Sequence, residues 1–187
     1  MKKMNNIKKL VIAALMAALT AVATMAIQIP SPLHGYVHLG DSLVLLCGIV
    51  LGPLGGALAA AIGSMMADLL TGYFIYAPAT LVIKGLAAFA AGLVFSGLAK
   101  SAKVQVNRYA AVVISGISSA VIVILGYFVY EIFLYGVPAA AANTIFNAVQ
   151  GIFGIIGAFV LFPLLSKVPD IRDMLNMPHI TPKKSAN

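Results

Sequence analysis

The chain has 187 residues, of which 61% are hydrophobic and 9% charged, with 12 Lys and Arg against 5 Asp and Glu. Soluble domains carry about 25% charged residues, so this composition excludes an ordinary soluble protein and specifies an integral membrane one. The net charge of +7 does not point to nucleic acid, because the cations form short clusters beside apolar runs instead of a basic face.

A membrane span takes about 20 apolar residues to cross a hydrocarbon core of roughly 30 Å. On that basis the sequence predicts an all-α bundle of six transmembrane helices in one membrane domain, over about 9–29, 37–51, 54–71, 78–99, 109–135 and 138–166. The first follows a basic start and ends at Pro30-Ser31-Pro32; it has no convincing cleavage site and reads as a retained helix. Gly52-Pro53 and Gly55-Gly56 break the next charge-free run, which predicts two helices meeting at a tight turn. The piece before the break is short, either a tilted span or a re-entrant segment. Pro78 opens the fourth helix at a position suited to a first turn. Residues 169–187, with prolines and mixed charges, read as a short amphipathic or frayed cytoplasmic tail.

Six crossings put both termini on one side, and Lys2, Lys3, Lys8, Lys9, Lys103, Arg108, Lys183 and Lys184 all fall there. The connections on the other side contain no Lys or Arg, so both termini are expected in the cytoplasm. Small residues recur every four positions, as in Gly55, Ala59, Gly63 and Ala67 or Ala88, Gly92 and Ser96, which lets helix backbones approach closely. The first helix carries two such ridges, Ala13, Ala17 and Ala21 beside Ala14 and Ala18. That is a wider smooth face than one neighbour needs.

The polar residues converge on the outer half. Asp41 begins the second helix, where it would serve as an N-cap, and Asp68 and Glu131 lie near the outer ends of the third and fifth. Lys84 is about 9 Å inside the fourth, where an unpaired ammonium costs roughly 2.5 to 3.5 kcal/mol. It is expected either to touch a ligand or to pair with Asp68. Asn143, Asn147 and Gln150 share one face of the sixth helix, and amides at that depth need hydrogen-bond partners. His34, Tyr36, His38, Tyr73 and Tyr76 lie in the adjoining outer loops.

This set supplies donors, acceptors and aromatic surface for a small polar ring-containing solute, in a pocket lined by Asp68, Lys84, Glu131, Asn143, Asn147, Gln150, His38, Tyr73 and Tyr76. Two loop histidines without a third ligand do not make a metal site, and Cys47, the one cysteine, has no disulfide partner. The chain contains no phosphate loop, His-Glu-x-x-His or Gly-x-Ser-x-Gly motif, so neither ATP hydrolysis nor the common membrane-hydrolase chemistry is expected of it, and no cofactor. A stand-alone oligomeric channel or proton-coupled carrier, with Asp68, Lys84 and Glu131 as a relay, is the competing class.

The runs His38-Leu39-Gly40-Asp41-Ser42, Leu51-Gly52-Pro53-Leu54-Gly55-Gly56, Ala67-Asp68-Leu69-Leu70-Thr71-Gly72-Tyr73 and Tyr76-Ala77-Pro78-Ala79-Thr80, with Lys84-Gly85, Asn147 to Gly151 and the alanine-rich first helix, resemble the substrate-binding S components of energy-coupling factor (ECF) vitamin transporters. The resemblance implies a plasma-membrane subunit that binds a water-soluble vitamin and works with one T-component membrane subunit and two ABC ATPases, which consume the ATP. It implies docking to that complex through Ala13, Ala14, Ala17, Ala18 and Ala21. Within the family the chain looks most like the hydroxymethylpyrimidine or pyridoxine branch, with pantothenate, a carboxylate that Lys84 would match, as the alternative.

Overall fold

The computed structural model describes residues 5–30, 36–100 and 107–177. Lys2, Lys3, His34, Lys103, Lys183 and Lys184 lie outside them. Eight elements follow in order: α1 (Asn6–Ala26), β1 (Gln28–Pro30), β2 (Tyr36–His38), α2 (Gly40–Thr71), α3 (Ala77–Lys100), α4 (Arg108–Tyr135), α5 (Val137–Leu165) and α6 (Pro169–Met174). Five of the helices, α1 to α5, are long and apolar enough to cross a membrane.

The expected tight turn lies inside α2. Gly52 has φ 76° and ψ 179°, a conformation open essentially to glycine alone, and Pro53 follows it. A Cβ on Gly56 would stand 2.5 Å from the Cα of Gly48, an approach that a straight helix would never bring about across eight residues. The arms 40–51 and 53–71 therefore fold back on each other. The first arm is about 18 Å long at 1.5 Å per residue, shorter than the hydrocarbon core, in keeping with the short piece expected before the break, and α2 counts as one of five helices long enough to cross a membrane.

That short arm is the centre of the molecule. Every residue from Gly40 to Val50 is buried. On one side Gly48 meets the Ala88 carbonyl of α3, on another Leu45 lies against Gly116 of α4, and Asp41 and Ser42 lie against Gly154 and Gly157 of α5. Thr20 of α1 lies 3.6 Å from the Cys47 sulfur. Both faces of the arm are apolar because it meets protein in every direction, so it has no lipid side for hydropathy to mark.

The chain is not wholly helical: β1 and β2 pair antiparallel, Ile29 opposite Val37, where the expected first helix was to end and the second to begin. The C-terminal segment is likewise more ordered than expected. Ile171 of α6 and Leu175 are buried, and the Arg108 guanidinium donates to the Leu175 carbonyl at 3.0 Å. Lys8 pairs with Asp170 at 2.9 Å. The starts of α1 and α4 and the whole of α6 thus share one end of the bundle. Among the described residues every Lys and Arg except Lys84 belongs to that end.

Candidate functional site

At the other end, the strand β2 and the ends of α2 to α5 enclose a cavity. Tyr36 and His38 reach it from β2, Asp68 from the second arm of α2, Thr80 from α3, Tyr127 and Glu131 from α4, and Asn143, Phe146, Asn147 and Gln150 from α5, with Tyr73 and Tyr76 from the connection between α2 and α3. Eight of the nine residues expected to line a pocket are among these.

Lys84 is the exception. It is fully buried behind the wall, its ammonium 2.5 Å from one carboxylate oxygen of Asp41 and 5.3 Å from the centre of the Tyr127 ring. The expected pairing with Asp68 gives way to Asp41 because the central arm sets Asp41 against α3. Asp41 is not an N-cap: Leu39 holds that position without a side-chain bond, and the Asp41 side chain turns inward from the first helical turn. Its second oxygen accepts from the Gln150 amide at 3.0 Å, and the Gln150 carbonyl accepts the His38 backbone N–H at 3.2 Å. A line of bonds therefore runs from Lys84 through Asp41 and Gln150 to β2.

Asp68 instead accepts from the Tyr36 hydroxyl at 2.6 Å, and Glu131 accepts from the Asn143 amide at 2.6 Å. Thr80 and Tyr127 share a hydrogen bond at 2.8 Å. Tyr36 packs tilted against Tyr73, ring centres 4.4 Å apart, and Tyr76 lies 6.3 Å from Tyr127. Burial, reinforced by the Asp68 carboxyl, raises the Tyr36 phenol well above its usual value. Burial, with the Lys84 charge next in weight, pushes the His38 imidazole down to about 3. A neutral ring agrees with its geometry, since His38 Nδ1 accepts the Gly40 N–H at 3.0 Å and so carries no proton.

Four buried polar atoms of the cavity residues have no hydrogen-bond partner: Asp68 Oδ2, Glu131 Oε2, Asn143 Oδ1 and Asn147 Nδ2. Unpaired polar atoms away from water are uncommon and each costs about 1–3 kcal/mol, so four around one cavity mark a place made for a polar guest. Its free volume is about 30 Å³, room for a few waters, and a ring-bearing solute enters only when the surrounding side chains move apart.

Tyr36, Val37, Thr80, Tyr127 and Phe146 also line the cavity and are not among the nine residues the sequence predicts for it. A signal for two of them exists: Thr80 lies four residues before Lys84 and Tyr127 four before Glu131, on the same helix faces. Among the described residues no group of three potential ligands could hold a metal ion.

The alanine ridges of α1 separate. Ala17 packs inward, its carbonyl close against Gly63, with Ala13 half-buried and Ala21 buried, whereas Ala14 and Ala18 face outward. Of the five alanines expected to form one docking face, Ala13, Ala17 and Ala21 are thus engaged within the bundle.

Comparison with known proteins accords with this architecture. An uncharacterized protein in the gap 3′ region of Pyrococcus woesei is 33% identical over 136 residues, covering 72% of this chain and 86% of the relative. The solved S component of a bacterial ECF transporter superposes with a TM-score of 0.63 at 21% identity, over 87% of this chain and 97% of that one, which establishes a shared fold. The family model described as ECF-type riboflavin transporter, S component, matches residues 4–167. With nearly its whole membrane domain matched, this multi-pass membrane protein belongs to the ECF-type transporter S component family.

Proposed function

We propose that the chain is the substrate-binding subunit of an ECF-type importer and captures a small planar nitrogen heterocycle bearing amino or hydroxyl groups, of the hydroxymethylpyrimidine or pyridoxine type. The observation that carries this reading is the balance of the four unpartnered atoms. Two are carboxyl oxygens and two are amide atoms, one oxygen and one nitrogen, which together suit a neutral solute bearing both donors and acceptors, and the tyrosines and Phe146 around them suit a flat ring. Lys84 is spent on Asp41, which leaves two carboxyl groups and no cation at the cavity wall. An anionic solute such as pantothenate would meet those carboxyl groups without compensation.

In this reading the cavity end faces outward and the basic end lies in the cytoplasm with both termini, in accord with the positive-inside rule. The two arms of α2 enter from the same side as the hairpin they form. A T-component subunit and two ABC ATPases supply the energy, docking against the outward ridge of Ala14 and Ala18, and the site is the plasma membrane.

Calorimetric titration of the purified chain in detergent tests the reading with hydroxymethylpyrimidine, pyridoxine, riboflavin and pantothenate. The expected result is tightest binding of one of the first two, weakened by Asn147→Leu. Preference for riboflavin or pantothenate would overturn the substrate assignment, and no binding of any would overturn the binding role.

A further inference from the structure

A second cavity of about 420 Å³ lies at the basic end, between α1 and the elbow joining α5 to α6. It is almost wholly apolar. A dry cavity of about 150 Å³ already holds a benzene ring, so this one has room for a substantial hydrocarbon. Its walls are Val11, Leu15 and Leu19 along one face of α1, with Leu165, Val168 and Ile171 opposite. α1 packs on α2 and touches β2, and makes no extensive contact with α5, so the two helices form the sides of a groove.

Length and charge identify what fills it. The lining of α1 begins at Ile7 and ends at Leu19, which at 1.5 Å per residue is about 18 Å, close to the half-thickness of a hydrocarbon core of roughly 30 Å. One acyl chain of one leaflet matches that depth. At the mouth stands the exposed Lys8–Asp170 pair, and the exposed Lys9 and Lys167 are the sequence neighbours of the lining residues Lys8 and Val168. Asp170 balances Lys8, which leaves two lysines for a phosphate at headgroup level. We infer that the groove is a binding site for an anionic phospholipid, with one acyl chain between α1 and α5 and the phosphate on Lys9 and Lys167. The site would bridge two helices that protein contacts leave apart, and it is independent of the substrate reading above.

The chain contains no tryptophan, so Leu19→Trp introduces a single fluorophore at the inner end of the groove. The full-length variant is reconstituted in phosphatidylcholine vesicles doped with acyl-brominated phosphatidylglycerol or with acyl-brominated phosphatidylcholine, and quenching is compared. Leu125→Trp on the lipid face of α4 is the control. The expected result is that brominated phosphatidylglycerol is preferred at position 19, by about five-fold for each lysine engaged, with no preference at position 125. Adding Lys9→Gln and Lys167→Gln should abolish the preference while leaving quenching by phosphatidylcholine unchanged. Equal quenching by both lipids at position 19, as expected if the groove is reserved for a protein segment, would overturn the inference. So would a preference that survives loss of both lysines.

Discussion

Lys84→Met isolates the buried ion pair. Methionine approximates the lysine stem in length and volume, so the substitution opens little cavity and removes chiefly the charge. What remains is the Asp41 carboxylate, its side chain 8% exposed, with the Gln150 amide and no cation. Breaking a buried pair by removing one partner costs about 3–5 kcal/mol, of which the lost contact with the Tyr127 face accounts for about 1–2 kcal/mol. Removing the second charge as well, in Lys84→Met with Asp41→Asn, eliminates the stranded carboxylate and should recover at least half of the loss. The measurement is reversible unfolding in mixed micelles for both single variants and the double, read as a double-mutant cycle. A single variant within about 1 kcal/mol of the parent would refute the argument. So would a double variant that loses the sum of the two single losses.

His38 predicts a pH dependence of stability. The unfolded imidazole takes a proton below about 6.5 and the folded one refuses it until about 3, so stability falls as the pH drops through that window, by up to about 1.4 kcal/mol per unit. His38→Gln should flatten that slope in a melting series, and an unchanged slope would show that other groups govern it. Gly52→Ala should destabilise the chain by about 1–3 kcal/mol in the same unfolding assay, since alanine must adopt the φ of 76° that reverses α2. Ala14→Leu with Ala18→Leu should leave melting unchanged and reduce co-purification with the T-component subunit, whereas Ala17→Leu should lower stability by overfilling the packing of α1 against the core. Full complex recovery with both leucines in place would exclude the outward ridge as the docking face.

The polar side chains were legible in the sequence because a lipid environment leaves them so few places. Asp68, Glu131 and the amides of α5 had to find partners, and alternating hydropathy put them at one end. Register was not legible. Asp41 and Asp68 both start from the outer side, and deciding which one meets Lys84 requires knowing which arm of α2 is central. Hydropathy cannot tell, because lipid and a packed interior are equally apolar to the arm 40–51. The tight turn was marked by Gly52-Pro53, whose backbone demands are local, while the β1–β2 pairing depends on partners brought together by α1 and α2. Likewise α6 binds through Arg108, far away in the sequence, and no local pattern announces that bond.

The enclosed arm 40–51 also constrains how the protein is made. At about 18 Å it cannot bridge the hydrocarbon core alone, so it enters the bilayer together with the arm that follows it. Asp41 then waits without a counter-charge until α3 delivers Lys84, and its second oxygen waits until Gln150 arrives on α5, the last long helix to be synthesised. A nascent chain halted after α2 therefore holds Asp41 without its counter-charge, and one halted after α4 has the Lys84–Asp41 pair but lacks both Gln150 and the Asn143 amide that Glu131 accepts from.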